Sequence, residues 1–369
     1  MRKIEALVLA NIQSPNVGNG ALVTGTLNSI SIVNPKNKIS PSFYSWDQVT
    51  FADSIFRDDF YQKVNESELL LIPGAVTFNG REDHKKGGSR LNFTAQDLDK
   101  IRVPIIAHGL SYRFWSDGIY PNKDQLLQTL SYLNSRDDCL IGLRNDGTKA
   151  WLENLLGEEM ENMPECPDPG FFVCSPRFND LGKDLFISVN YEDSVNRYKD
   201  PKKLERIIQT LVGCCEIFAE NINEKIVFVP HSFEDYEMIL MVCKRLKVGV
   251  LHKKVRVLSM PGFEDHMQIY NHYHGARAVI AMRVHSLSPS LGMRIPTLVI
   301  STQNRMKTYM SNLKLEKQIV ELNDENISKK CESFLDNVMT ERFNFSDQDR
   351  AIIGEKNKLS EFYEKAQFI

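Results

Sequence analysis

Several short stretches of this 369-residue chain combine cations, imidazoles and small residues in ways that could handle a small anion. The strongest is Arg283-Val284-His285-Ser286, which follows the apolar run Ala278–Met282. An arginine and a histidine at a strand's end, beside the free N–H groups of a starting helix, suit a phosphate or a carboxylate. His285 could also move a proton near neutral pH. A solvated arginine and a capping serine would produce the same pattern, so spacing alone leaves both readings open.

Asn304-Arg305-Met306-Lys307 repeats the arrangement after Thr297–Ile300, with a plain surface helix as the alternative. Asn16-Val17-Gly18-Asn19-Gly20 follows the first apolar run, and its glycines would let backbone approach a ligand. Its spacing fits neither a dinucleotide fingerprint nor a Walker loop, and a bare tight turn is the favoured alternative. Pro73-Gly74-Ala75-Val76-Thr77 and Arg144-Asn145-Asp146-Gly147-Thr148 also follow apolar runs; in the latter, Asn145 or Asp146 could cap a helix. In Pro230-His231-Ser232, a capping box Ser232-x-x-Asp235 accounts for the serine and the aspartate and leaves His231 unexplained. His272-Tyr273-His274 has no visible third ligand, so a helix end is a simpler reading than a metal site. Tyr112, Phe114 and Trp115 form an aromatic loop that could stack on a sugar or pack on itself.

The elements that must position these residues follow from short apolar runs alternating with helical patterns. Strands are expected at Ile4–Ala10, Leu69–Ile72, Val103–Ala107 and Cys139–Leu143, and again at Leu185–Val189, Lys225–Val229, Val255–Leu258, Ala278–Met282 and Thr297–Ile300. Helices are expected at Ala21–Ile30, Asp124–Leu133, about Asp146–Leu156, Glu234–Leu246 and Phe263–Tyr273. Another starts near Ser286, and a long one is opened by Asp200-Pro201, with an apolar stripe through Leu204, Ile207, Ile208, Leu211, Val212, Cys215 and Phe218. The last helix runs from about Asp347 to Ala366 behind a Ser346-x-x-Asp349 capping box, with Ile352, Ile353, Leu359, Phe362 and Tyr363 as its apolar face. This alternation predicts an α/β protein with parallel sheets.

Pro164, Pro167, Pro169, Pro176 and Gly182 punctuate the middle and suggest a boundary. We therefore expect a doubly wound domain over 1–175, a second over 176–340, and a terminal helix over 341–369. Such sheets bind ligands outside the carboxyl ends of their strands. Arg144, Arg283, Arg305 and Lys307 are each expected at or just beyond a strand end, which predicts a focused positive cleft for a compact anion between the domains.

Composition bounds the alternatives. Lys and Arg number 45 and Asp and Glu 48, a net charge of −3, which argues against a protein that coats nucleic acid. A 42% hydrophobic content argues against an acidic disordered chain. No secretory signal is expected, and the uncharged stretch 6–35 is too broken by Pro15 and polar residues to span a membrane. Seven cysteines without a Cys-x-x-Cys pair suit a reduced compartment, and a cytoplasmic location is expected.

Taken in order, these loops resemble the polysaccharide pyruvyl transferase family, from about residue 8 to 315. Asn16-Val17-Gly18-Asn19 is similar to the family's N-x-G-D start, and Ile141-Gly142-Leu143-Arg144-Asn145 with Thr148 to its strand-Arg-Asp-x-x-Ser element. Pro167-Asp168-Pro169-Gly170-Phe171 resembles its D-P-A-F segment, and Val227-Phe228-Val229-Pro230-His231 with Asp235 its strand-Pro-Gln/His segment. Most specific are Met282-Arg283-Val284-His285-Ser286, Leu291-Gly292, Ile295-Pro296-Thr297 and Lys307, which resemble its R-x-H, G-x-P and downstream Lys. Two departures stand out. Asn19 occupies the place of a usual Asp, and Pro73-Gly74-Ala75 replaces a more glycine-rich run.

The resemblance implies a GT-B-like fold: two Rossmann-type domains facing across a cleft, the acceptor on the N-terminal side and the donor on the C-terminal side, with the terminal helix crossing back to the N-terminal domain. It implies transfer of a pyruvyl group from phosphoenolpyruvate to a sugar of a cell-surface polysaccharide or its precursor, such as exopolysaccharide, capsule or cell-wall glycan, as a pyruvate ketal. The site expected on this basis has His285, Arg283 and His231 as catalytic residues. Arg144, Lys307, Arg305, Asn19, Gly18, Ser286 and Asn145 would bind substrate. No metal and no cofactor beyond the donor substrate are expected, and no nucleic acid. A lipid-linked oligosaccharide acceptor would place the enzyme peripherally at the inner face of the cytoplasmic membrane. Two alternatives share the architecture: a GT-B glycosyltransferase using a nucleotide sugar, and a non-catalytic glycan-assembly protein.

Overall fold

The computed structural model describes residues 2–366 apart from 13, 15, 51–53, 80–84, 114–119, 179–181, 193, 195–200, 263–264 and 323. The expected loop at Phe114 and Trp115 and the expected cap Asp200 lie outside the described residues. The chain divides into two units. The first comprises Met1–Ser14, Leu22–Phe172 and Glu355–Ile369, and the second Pro15–Ala21 and Val173–Gly354.

The first unit is built on strands β1 (Arg2–Ala10), β2 (Asn37–Ser45), β3 (Leu69–Pro73), β4 (Val76–Phe78), β5 (Ile105–Tyr112), β6 (Cys139–Arg144) and β7 (Glu165–Cys166). Their order is β2-β1-β3-β5-β6-β7, with β4 on β5, and the pairings are parallel. The second unit has β8 (Asp184–Ser188), β9 (Ile226–Phe228), β10 (Val255–Val257), β11 (Ala276–Ala281), β12 (Thr297–Ser301) and β13 (Ile319–Glu321). These are parallel in the order β10-β9-β8-β11-β12-β13. That order is doubly wound, and its direction reverses between β8 and β11.

Most strands are buried on both faces, so they read as apolar runs without alternation: Leu69–Pro73 and Ile226–Phe228 are wholly buried. The long helix Pro201–Asn221 buries Ile207, Ile208, Leu211, Cys215 and Phe218 of its expected stripe. Strand β2 escapes that logic. It lies at the edge beside β1, carries Lys38, Ser40, Pro41 and Ser42, and buries only Tyr44 and Ser45. The two-residue β7 and three-residue β13 are likewise too short to read.

Helix boundaries shift where side chains find other partners. The first helix is Val17–Val33 rather than Ala21–Ile30, so the expected glycine loop is its first turn. Asn16 caps it: its Oδ1 accepts the Gly18 N–H at 2.9 Å. The expected capping box at Ser346 does not form, and the one at Ser232 forms only by half, with Asp235 Oδ2 accepting the Ser232 N–H at 3.2 Å. Asp235 and Asp349 are each gripped by an arginine, Arg283 and Arg294, in a two-point charge-assisted pair. The last helix, Ser346–Glu364, is preceded by Asn344, whose Oδ1 accepts the Ser346 N–H. Ile353 faces solvent, contrary to expectation, while Ile352, Leu359, Phe362 and Tyr363 are buried. This helix starts in the second unit, and from Glu355 onward it belongs to the first, the crossing that was expected. Among the described residues, no helix is long and apolar enough to cross a membrane.

At the carboxyl end of β6, Arg144 is sealed in the first unit. Its Nε lies 3.0 Å from the equally buried Asp168 Oδ2 and also donates to the Gly109 carbonyl at 3.3 Å. Its neighbour Asn145 donates to Glu355 Oε2 at 2.8 Å. Nearby, His108 is stacked on Phe362 and hydrogen-bonded to Tyr363 Oη. Burial pushes its pKa down to about 3. Removing one partner of a buried pair strands a charge. We therefore expect Asp168→Ala to cost about 3–5 kcal/mol in urea unfolding; a loss under about 1 kcal/mol would show that Arg144 does not depend on Asp168.

Candidate functional site

The second sheet reverses between β8 and β11, and the loops leaving those strands and β9 converge on one carboxylate. Asp235, the first residue of the helix Asp235–Cys243, is fully buried. Its Oδ1 accepts the Tyr191 N–H at 3.2 Å, and its Oδ2 accepts the His231 and Ser232 N–H groups at 2.9 and 3.2 Å. Arg283 completes the set, with Nε to Oδ2 at 2.8 Å and Nη2 to Oδ1 at 2.6 Å.

Arg283 precedes the helix Val284–Gly292 in extended backbone (φ −122°, ψ 143°), and its side chain runs back across β8. Nε also donates to the Val189 carbonyl and Nη2 to Ser232 Oγ. Two of the three guanidinium nitrogens are thus committed to the protein. Nη1 has no partner among the described residues and is the edge left for a ligand.

Around this anchor stand three histidines and the first turn of the helix Val17–Val33. The His231 carbonyl accepts the Val17 N–H at 3.3 Å. A Cβ on Gly18 would lie 2.2 Å from His285 Cδ2, and one on Gly20 would lie 2.1 Å from His266 Cγ. Only glycine permits these two close approaches. The amides of Val17, Gly18 and Asn19 are already bonded to the His231 carbonyl, Asn16 Oδ1 and the Asn16 carbonyl. This turn therefore positions the imidazoles and does not offer its leading amides to an anion, as the sequence suggested.

His231 is wholly buried, and neither ring nitrogen has a hydrogen-bond partner among the described residues. Burial first, and the Arg283 charge second, push its pKa down to about 3, so the ring is neutral at pH 7. His285 is half-buried, and its carbonyl accepts from Tyr270 Oη at 3.2 Å.

The remaining expected site residues are engaged by other partners. Ser286 is buried with its hydroxyl 2.7 Å from Tyr273 Oη. Arg305 is buried and donates to Gln303 Oε1. Lys307 is half-exposed and pairs with Glu321 Oε1 at 2.7 Å, facing a cavity of about 770 Å³ with Thr308, Ser311 and Asn312. It points toward β13, whereas Arg283 reaches the other way, over β8 to the loop after β9. Arg144 and Asn145 belong to the first unit. Three of the four cations expected to create a positive cleft therefore carry a carboxylate within 3.0 Å: Asp168, Asp235 and Glu321. Sequence spacing counted the cations and missed their counter-charges.

Two residues of this cluster lie outside the set expected to act. The sequence offers Asp235 as a cap and as part of the strand-Pro-Gln/His resemblance, and His266 carries no spacing signal beyond the paired glycines of Gly18-Asn19-Gly20. Of the expected aromatic loop, Tyr112 instead ends β5 and stacks on Trp151 with centroids 4.7 Å apart. Among the described residues, no group of three or more His, Cys, Asp or Glu is placed to hold a metal.

Comparison with known proteins adds an independent finding. No curated protein sequence matches the chain. The profile of the family described as polysaccharide pyruvyl transferase matches residues 16–304. A solved structure from Listeria monocytogenes, provisionally named as a UDP-N-acetylglucosamine 2-epimerase, is 10% identical, covers 97% of this chain and 94% of its own, and superposes with a TM-score of 0.52. Anabaena Alr3699/HepE, solved in complex with UDP, is 9% identical over 100% of this chain and 98% of its own, with a TM-score of 0.50. At such identities the likeness is one of fold, the two-domain Rossmann-like architecture of GT-B type.

Two predictions follow from this geometry. Gly18→Ala should displace the His285 ring and cost about 1–3 kcal/mol. Its penalty should shrink in a His285→Ala background when both are measured by thermal denaturation, and strict additivity would contradict the contact. The second concerns pH. His108 and His231 hold their protons less tightly folded, at about 3, than at the ordinary 6.5. Their stabilising contribution is present above pH 6.5 and is lost as pH falls from there toward 3. The melting temperature should fall over that window, and less steeply in His231→Gln; an unchanged slope in that variant would count against a neutral, buried His231.

Proposed function

Since the chain belongs to the polysaccharide pyruvyl transferase family, we propose that it moves a pyruvyl group from phosphoenolpyruvate to a sugar of a cell-surface polysaccharide or its precursor, closing a pyruvate ketal. The observation that supports this reading best is the anchored Arg283. Its free Nη1 edge lies at the switch point of the second sheet, in a site that also holds His231 and His285.

Phosphoenolpyruvate carries a phosphate and a carboxylate, and a fixed guanidinium edge binds either oxyanion without needing to reorganise. The enol phosphate takes a proton at its methylene carbon, and one sugar hydroxyl then attacks the cationic carbon and loses its proton. A second hydroxyl of the sugar displaces phosphate and closes the ketal. Two hydroxyl protons are released; one balances the proton gained by the methylene and the other leaves with phosphate. We assign the proton transfers to His285, because burial keeps His231 neutral and out of solvent. His231 then serves as a neutral hydrogen-bonding group beside the guanidinium. Asn19, an amide, contributes a dipole rather than a proton. A lipid-linked acceptor would be met at the inner face of the cytoplasmic membrane.

The experiment is phosphate release from phosphoenolpyruvate with glycan acceptor isolated from a strain lacking this gene. His285→Ala and Arg283→Ala should each lower the rate about a hundredfold or more, with melting curves confirming that both variants fold. Full activity in either variant removes that residue's assignment. Stabilisation of the protein by a nucleotide sugar and not by phosphoenolpyruvate would instead favour a glycosyltransferase.

A further inference from the structure

One edge of the second unit is locally basic. Residues 238–263 contain six Lys and Arg and no Asp or Glu, in a chain where acids outnumber bases 48 to 45. This segment forms most of the helix Asp235–Cys243, the short helix Val248–Lys254 and the outermost strand, β10. Tyr236 Oη donates to the Leu258 carbonyl at 3.2 Å and accepts the Met260 N–H at 2.9 Å, tying the first of these helices to the chain leaving β10.

The short helix Val248–Lys254 buries none of its residues. Val248 is 68% exposed, Leu240 is 57% exposed, and Val257 on the edge strand is exposed as well. Arg245 and Lys247 form exposed ion pairs with Glu205 and Glu220 of the neighbouring helix, at 2.8 and 2.9 Å. Lys254 is bonded to the Ile222 carbonyl and to Asn223. The side chains of Lys244, Lys253 and Arg256 are exposed and have no partner among the described residues. Glu237, on the same exposed face as Leu240, is engaged by the Tyr191 hydroxyl. A short strand bearing an arginine is ordinary protection against edge pairing. That does not explain aliphatic side chains held in water among unpaired cations.

We propose that this edge docks on an anionic lipid bilayer, with Leu240, Val248 and Val257 entering the headgroup boundary and Lys244, Lys253 and Arg256 meeting lipid phosphates. The composition favours lipid over a protein partner. Valine, leucine and lysine are poor carriers of protein–protein affinity, and no exposed tryptophan or tyrosine anchor accompanies them among the described residues of the segment. The lipid-linked acceptor of the proposed function supplies the purpose of such a surface, and the inference rests on that reading for its purpose alone.

The test is co-sedimentation of the full chain with vesicles, measured without donor or acceptor, so that its outcome is separate from that of the transferase assay. The chain should bind vesicles rich in phosphatidylglycerol and not pure phosphatidylcholine, and binding should weaken in high salt. The triple variant Lys244→Ser, Lys253→Ser, Arg256→Ser should lose about a hundredfold in partitioning, at about fivefold per cation. The double variant Leu240→Ser, Val248→Ser should bind more weakly while keeping the salt dependence. No binding to phosphatidylglycerol vesicles at low salt, or equal binding by a folded triple variant, would overturn the proposal.

Discussion

A carboxylate taken wholly out of water must be met by donors, and Asp235 is met by five. Three of them are backbone N–H groups, from the loops after β8 and β9, and two come from the Arg283 guanidinium. One side chain thus fixes three loop segments at the switch point of the second sheet. Without it, Arg283 would keep only the Val189 carbonyl and the Ser232 hydroxyl as partners. With it, the guanidinium is held in one plane and exposes one edge. Its charge is partly balanced by Asp235. The site gains geometry at the expense of bare attraction.

The same constraint shapes the histidines. His231 takes its place because its backbone N–H is bound by Asp235 and its carbonyl by Val17. Burial then decides its chemistry by disfavouring the charged imidazolium. His285 sits against a glycine that leaves no room for a side chain, an approach so close that one methyl group would move it. The turn from Asn16 to Gly20 resembles a ligand-binding loop in its letters, yet its amides are used internally and its glycines serve two imidazoles.

Much of the fold was legible because strands buried on both faces must be short apolar runs. Leu69–Pro73, Ile226–Phe228 and Thr297–Ser301 could be read that way, and so could the stripe on Pro201–Asn221. Strand β2 could not, since an edge strand needs no apolar run, and its nine-residue pairing with β1 is a tertiary fact. The capping box at Ser346 failed, and the one at Ser232 formed only by half, for a related reason. A local pattern predicts a local bond, and Arg283 and Arg294 offered Asp235 and Asp349 stronger ones from distant parts of the sequence.

The sequence by itself determined the α/β alternation, the doubly wound class and the ordered set of loops that carry the family resemblance. It did so because hydrophobic periodicity and strand-end chemistry are local properties. Only the tertiary structure decided which cations remain available. Arg144, Lys307 and Arg283 look alike in sequence as basic residues near strand ends. Folding seals the first against Asp168, turns the second outward to Glu321, and leaves the third with one open edge beside Asp235. Counter-charges come from residues 24, 14 and 48 positions away, and no window of sequence shows which carboxylate a folded chain will bring to which arginine.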